Sequence, residues 1–224
     1  MHMGDKKDKN IKKNSKKISQ DLVERVGKLS TSLISDGMEN SRTMNYRIKP
    51  IKGGMKILGT ALTVKVKPGD NLYLHKAIKY GEDGYVLVLD NEGNKEAAVW
   101  GEMMSRSALA AELSGIVVEG CVRDLMDIKE LGLPIFAVGA IPKGPTVEGP
   151  GNINSTINCG GVEVNPGDLI FGDDDGVVVV GPEELEEVLK KAEAKLAREG
   201  DRIKEIEEGK LVPEWVNNKY KTRE

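Results

Sequence analysis

The sequence predicts an α/β fold built on a mostly parallel sheet. Three observations carry that expectation. Between residues 85 and 138, short apolar runs alternate with helix-period segments in the order strand, strand, helix, strand, helix, strand. That is the pattern of parallel crossovers. Hydrophobic residues make up 39% of the chain but aromatics only 4%, so the core must be Val, Ile, Leu and Ala, which suits a sheet covered by helices. Twenty-six glycines in 224 residues supply the many tight turns such a fold needs. At this length one main domain is expected, over residues 19–200, with a basic tail at 1–18 and an extension at 201–224.

Each element follows from local chemistry. Residues 1–18 are rich in Lys, Asn and Ser and read as a solvated, disordered leader. Ser19 caps a helix through Leu22, Val23, Val26 and Leu29, and Ser30 or Thr31 starts a second, ended by Gly37. Residues 40–54 read as loop, with Pro50 and Gly53-Gly54 as breakers. Residues 57–66 alternate and are β-branched, so they form a strand. After the turn Pro68 to Asp70, Asp70 or Asn71 caps a helix carrying Leu72, Leu74, Ala77 and Ile78. Residues 85–89 and 97–100 read as strands, separated by a turn at 90–94.

A helix spans residues 102–113, with Ser105, Ala108, Ala111 and Leu109 on its packing face. Residues 116–118 form a strand, and the chain turns sharply at Glu119-Gly120. A helix at 124–131 stops at Gly132, and residues 135–138 form the next strand. Residues 139–161 read as one long loop that is functional or covers something. Three short strands follow, at 162–164, 169–171 and 177–180. The last two are joined by Asp173-Asp174-Asp175-Gly176, a hairpin signal. Pro182 and two acids open a long helix with the stripe Leu185, Val188, Leu189, Ala192 and Leu196. Gly200 interrupts that helix and Gly209 ends it. Trp215 and Tyr220 dock on a neighbouring surface or fray.

Charge and cysteine content exclude several classes. The net charge is -3, but the first 17 residues hold seven Lys and two Asp, so the body is near -8. An acidic body argues against nucleic-acid binding. Two cysteines without a C-x-x-C exclude a disulfide scaffold or zinc ribbon and point to a reducing cytoplasm. There is no apolar run of membrane-spanning length and no apolar leader. G-x-G-x-x-G and the P-loop are both absent.

The candidate chemistry sits at two strand ends. Arg123-Asp124 follows an apolar strand, where open α/β sheets bind ligands. Asp127 lies one helical turn beyond Asp124. Carboxylates of this kind suit Mg2+ or Mn2+, which keep several waters. The planar fork of Arg123 suits a substrate carboxylate. The helix start at Gly101-Glu102-Met103-Met104 offers free N–H groups to the same anion, and Glu102 is placed to hold a metal-bound water. Other candidates have simpler readings. Asp173-Asp174-Asp175 is a hairpin turn, His75 has a packing or hydrogen-bonding role, and Cys121 is a small buried residue.

The motifs W-G-E-M-M, V-V-E-G-C-V-R-D-L-M-D-I, L-G-L-P-I-F-A, C-G-G-V-E-V-N-P-G-D and D-D-D-G-V-V-V-V, with L-H-K-A at residues 74–77, carry a resemblance. In that order they resemble the 4-hydroxy-4-methyl-2-oxoglutarate / 4-carboxy-4-hydroxy-2-oxoadipate aldolases, a family that includes the regulator of ribonuclease activity A. The resemblance spans about residues 20–195. It implies a β/β/α-layered fold like the swivelling phosphohistidine domain, assembled as a homotrimer or hexamer. It implies a class II aldolase, dependent on Mg2+ or Mn2+, that releases pyruvate from 4-hydroxy-2-oxo acids and decarboxylates oxaloacetate. By the same resemblance Arg123 takes the substrate-carboxylate position and Asp124 the metal-ligand position. Asp127 takes the acidic position that follows, and residues 101–104 form the anion cradle. The alternative implied is a non-catalytic regulator that binds a ribonuclease through its oligomer surface.

Overall fold

The apolar runs of the sequence lie side by side. The computed structural model describes residues 8–39 and 41–221. In chain order the strands are β1 (Lys49–Pro50), β2 (Ile57–Lys65), β3 (Tyr85–Asp90), β4 (Ala98–Trp100), β5 (Gly115–Val122), β6 (Ile135–Ala140), β7 (Asn152–Ile153), β8 (Ile157–Cys159), β9 (Val162–Val164), β10 (Leu169–Asp173) and β11 (Gly176–Val180). The helices are α1 (Gln20–Gly27), α2 (Thr31–Gly37), α3 (Leu72–Ile78), α4 (Glu102–Ala110), α5 (Leu125–Glu130), α6 (Leu185–Glu207) and α7 (Glu214–Lys221).

The main sheet runs β1-β6-β5-β3-β2-β10-β11, with β4 added beside β5 and β7 beside β2. Neighbours among β2, β3, β5 and β6 are parallel, as the alternating pattern requires. The β10–β11 hairpin closes on Asp173↔Gly176, as the Asp-Gly signal indicates. Every residue of β3 is buried, so residues 85–89 read as unbroken hydrophobics before Asp90. One face of the sheet packs Leu62, Leu87, Leu89, Ile116 and Val118 against the side of α3, α4 and α5. The other packs Val86, Val88, Val117 and Phe136 against Ile157, Cys159 and Val164 of the separate β8–β9 hairpin. This is the β/β/α layering expected. Burial of each such Leu contributes about 2 kcal/mol. Helices α1, α2 and α6 cover β10 and β11 through Val26, Ile34, Phe171, Val178 and Leu189.

Several local expectations are corrected. Residues 8–18 are not a free leader. Ile153 donates to the Asn10 carbonyl (2.9 Å), Asn14 Nδ2 donates to the Tyr80 carbonyl (2.8 Å), and the Ile18 amide donates to Thr60 Oγ1 (2.9 Å). The polar strap satisfies backbone and hydroxyl groups that the fold would otherwise leave open. The rest of that tail, residues 1–7, lies outside the described residues. The 40–54 loop contains β1, which pairs antiparallel with β6. Strand β5 does not turn at Glu119-Gly120. It runs on to Val122 through an irregularity between Val118 and Cys121, and a Cβ on Gly120 would lie 2.7 Å from Asn91 Nδ2.

Helix α4 ends at Ala110, short of the residue 113 expected, and buries Met104, Ser105 and Ala108, while Leu109 is exposed. Helix α6 passes through Gly200 without a break. One glycine costs a helix only about 1 kcal/mol, which the surrounding turns outweigh. Trp215 stays largely exposed, and the Tyr220 side chain lies outside the described residues.

The 139–161 segment is also more ordered than its composition suggests. It carries β7 and β8, and Asp70 clamps it. Asp70 Oδ2 accepts from Thr146 Oγ1 (3.0 Å) and from the Glu148 and Gly149 amides, while Oδ1 accepts from the Leu72 amide (2.9 Å). Burial opposes ionisation of Asp70. The amides of Glu148, Leu72 and Gly149 and the Thr146 hydroxyl outweigh it, so its pKa lies below the usual carboxylate value. A depressed folded-state pKa gives stability that is present above the unfolded value, about 3.9, and lost as pH falls through the folded one. Asp70→Ala is expected to cost about 3 kcal/mol at pH 7 in urea denaturation. The gap to wild type is expected to narrow in titrations taken below about pH 4.

Candidate functional site

Two parallel strands ending together build the site. Strand β4 pairs with β5 so that Trp100 lies beside Val122. The Arg123 amide then donates to the Trp100 carbonyl at 2.9 Å. Each strand passes straight into a helix at this end, β4 into α4 and β5 into α5. Gly101 and Arg123-Asp124 are therefore neighbours, although 22 residues separate Glu102 from Asp124 in sequence. Trp100 Nε1 donates to Ser105 Oγ (2.9 Å), and that hydroxyl donates to the Gly101 carbonyl (3.0 Å), pinning the start of α4.

Asp124 makes the second turn in a left-handed conformation, at φ 56° and ψ 43°. A non-glycine residue there carries strain, although Asp tolerates it better than most. The conformation aims its carboxylate across to α4, where Oδ2 accepts from the Glu102 amide at 3.1 Å. Gly101 makes that approach possible, since a Cβ there would lie 2.6 Å from Asp124 Oδ2 and 3.0 Å from Arg123 Cγ. Gly144 flanks the guanidinium from the other side, with a built Cβ 2.9 Å from Arg123 Nη1. Arg123 Nε lies 3.7 Å from Asp124 Oδ2, and both side chains stay nearly half exposed.

The cleft they border holds about 370 Å³ of open space. Asn71, His75, Trp100, Gly101, Met103, Met104 and Pro145 are also in its wall. Met103 and Met104 sit in the first turn of α4, so their amides have no acceptor within the helix. The Met104 side chain is buried and that of Met103 is exposed.

Not every expected residue reaches the cleft. The Glu102 carboxylate turns away onto Arg106, one helical turn on, at 2.7 Å from Nη2. Its main-chain N–H is what it contributes. Asp127 is exposed on α5 and is not part of the cleft wall. Among the described residues, no three His, Cys, Asp or Glu side chains gather as a metal cluster.

His75 does not pack in the core. It is exposed and lines the cleft. Cys121 is buried with its Sγ near the Lys95 carbonyl, and burial pushes its thiol pKa up. In the acidic hairpin, the Asp173 carboxylate accepts from the Thr31 amide and hydroxyl, and that of Asp174 from the Gly54 amide.

Asn71 is the residue that sequence reasoning missed. It is 7% exposed, its Nδ2 lies 3.5 Å from Met104 Sδ, and its Oδ1 has no hydrogen-bond partner. It is the only such buried side-chain atom among the described residues. A bare buried carbonyl costs about 1–3 kcal/mol, and Asn71 lines the cleft, which makes it a candidate ligand contact. In the sequence an Asn before a helix reads as a cap, which hides this role. His75, four residues on, shares its face of α3.

Comparison with known proteins shows the family. Residues 31–179 match the model of the RraA-like family, described as Aldolase/RraA. The chain belongs to the RraA-like family. A relative from Halalkalibacterium halodurans, named "Putative 4-hydroxy-4-methyl-2-oxoglutarate aldolase", is 37% identical over 192 residues, covering 86% of this chain and 91% of that protein. The solved RNA-processing inhibitor RraA from Thermus thermophilis is 29% identical with a TM-score of 0.62, covering 67% of this chain and 91% of that one. RraAS2 from Streptomyces coelicolor, an unusual member of the RNase ES inhibitor RraA family, is 26% identical with a TM-score of 0.74 over 84% of this chain and 98% of its own.

The RraA-like match contains every residue of the cleft wall. It excludes the 8–18 strap and α6. No described helix is long and apolar enough to cross a membrane.

Replacing the unpartnered amide with a similar apolar side chain tests its role without an activity assay. Asn71→Leu is expected to raise the unfolding free energy by about 1 kcal/mol in denaturant titration. A clear loss of stability would mean that the amide serves the fold.

Proposed function

We propose that this RraA-like chain is a lyase dependent on Mg2+ or Mn2+. It cleaves 4-hydroxy-2-oxo acids between C3 and C4 to release pyruvate, and it decarboxylates oxaloacetate. One observation carries the reading: a guanidinium, a carboxylate and an open helix N-terminus border the same cleft. The aldolase name of the 37%-identical relative supports it.

The residues present fit a hard divalent cation. Asn71 Oδ1 is an oxygen with no partner among the described residues, the Asp124 carboxylate is about 40% exposed, and both residues line the cleft. Asp124 would hold the cation, with Asn71 beside it and Asp127 reaching it, at most, through water. When bound, such a cation supplies Lewis-acid polarisation of the keto oxygen.

The chain's own groups do the rest. The Met103 and Met104 amides and the positive end of α4 bind the substrate carboxylate. Arg123 grips the 2-oxo acid and stabilises negative charge that grows on the C2 oxygen as the C–C bond breaks. Gly101 keeps the Asp124 carboxylate within reach of both. The Glu102 carboxylate, held by Arg106, takes no proton role in this scheme.

We also propose a cytoplasmic homotrimer or hexamer. The exposed apolar side chains of Ile203, Ile206, Leu211, Val212 and Trp215 support an oligomer contact.

A second reading, a regulator that binds a ribonuclease through its oligomer surface, is favoured by the RNA-processing inhibitors among its structural relatives.

A lactate-dehydrogenase-coupled assay separates the two. With Mg2+ or Mn2+, wild type is expected to release pyruvate from oxaloacetate above the rate of the metal ion alone, and EDTA is expected to stop it. Asp124→Ala is expected to abolish activity, and Arg123→Lys to lower kcat by about 10²–10³. Gly101→Ala is expected to impair turnover similarly, because its methyl group occupies the carboxylate's position. An inactive wild type with both cations, together with ribonuclease binding that survives Asp124→Ala, would favour the regulator.

A further inference from the structure

The strap at residues 8–18 has two faces of different chemistry. Asn10, Ile11, Asn14, Ser15 and Ile18 are partly buried, and all are uncharged. Lys9, Lys12, Lys13, Lys16 and Lys17 are all exposed. The inward face does the anchoring. Ile11 and Ile18 pack against the core, and the Lys12 main chain bonds to the Ile153 carbonyl and to Asn154 Nδ2, each at 3.2 Å. The Tyr85 hydroxyl donates to the Ser15 carbonyl. Asp8 fixes one end by accepting from the Tyr73 hydroxyl (2.7 Å) and Lys76 Nζ (3.0 Å).

Of the five outward lysines only Lys17 is engaged, by the Asp83 carbonyl (3.1 Å) and Glu82 (3.6 Å). Lys9, Lys12, Lys13 and Lys16 make no ion pair among the described residues. With Asp8 the five lysines give the strap a net +4, on a chain of net -3. Like charges side by side repel one another, and none of the anchors needs them there. The strap lies outside the RraA-like match at residues 31–179, and none of its lysines lines the cleft.

We propose that this ridge of lysines docks a single-stranded nucleic acid through its phosphates, without sequence preference. A row of ammonium groups with no aromatic or amide side chain among them reads charge and not bases. A phosphodiester chain carries a charge at every nucleotide and releases counterions as lysines neutralise it. Because the strap is anchored, less chain entropy is lost on binding than from a free tail. The acidic body repels the ligand elsewhere and confines it to the ridge. A flexible single strand follows so short a ridge and bends away from that body, as a stiff duplex does not. Docking there is independent of the lyase reading.

Fluorescence anisotropy on the full chain, with a labelled oligouridylate of about 15 nucleotides, tests this. Wild type is expected to bind at low salt. Its slope of log K against log salt is expected near about -3, from roughly 0.7 per phosphate and four unpaired lysines. Replacing Lys12, Lys13 and Lys16 together by Gln is expected to weaken binding about tenfold and flatten the slope to about -1, with urea stability and lyase turnover unchanged. Replacing the same three by Arg is expected to keep wild-type binding. No binding by wild type, or equal binding by the Gln variant, overturns the inference. Tighter binding of poly-glutamate or of phosphatidylserine vesicles also overturns it, in favour of an acidic protein or a membrane. The wild-type slope and these competitors decide the matter even if the Gln variant does not fold.

Discussion

The hydrogen bond from the Arg123 amide to the Trp100 carbonyl marks the constraint on which the site depends. It is the last contact between β4 and β5 before both strands become helices. A parallel pair necessarily ends at one edge of the sheet, so whatever follows each strand shares that edge. Gly101 and Asp124 are neighbours for this reason. Had β4 paired antiparallel, α4 would begin at the opposite edge, and neither its amides nor Gly101 would face Arg123.

Around that constraint the molecule tolerates three local costs at one place. Asp124 is held in a left-handed conformation, Asn71 keeps a buried carbonyl without a partner, and glycine occupies position 101, where the carboxylate passes. Each is a feature that the surrounding core must hold in place. Asp70 contributes by tying the 139–161 segment to the start of α3, which carries Asn71 and His75. The same clamp brings Pro145 to the cleft wall and Gly144 against the guanidinium. Packing, clamp and site are therefore one mechanical unit.

The Arg-Asp pair borders two hollows. The cleft side offers amides and an unpartnered carbonyl, while the more open side is walled by Leu125, Ala140, Ile141 and Pro142.

Much of this was legible in the sequence. The parallel core followed from apolar runs separated by helix-length segments. The β10–β11 hairpin followed from Asp-Gly, and Arg123-Asp124 from its place after a buried strand. These depend on local periodicity and turn chemistry, which a linear string records. Other features were hidden for an equally physical reason. Glu102 looked like an active-site carboxylate until Arg106 captured it, and a polar tail looked free until Ile153, Tyr80 and Thr60 supplied its partners. Asn71 read as a cap because only the packed neighbours reveal that its oxygen is left bare. By itself the sequence determined the parallel core strands, the helices between them, their order and the strand-end pair. Only the tertiary structure decided which side chains face one another, because hydrogen-bond partners and the space between residues far apart in sequence arise when the layers close.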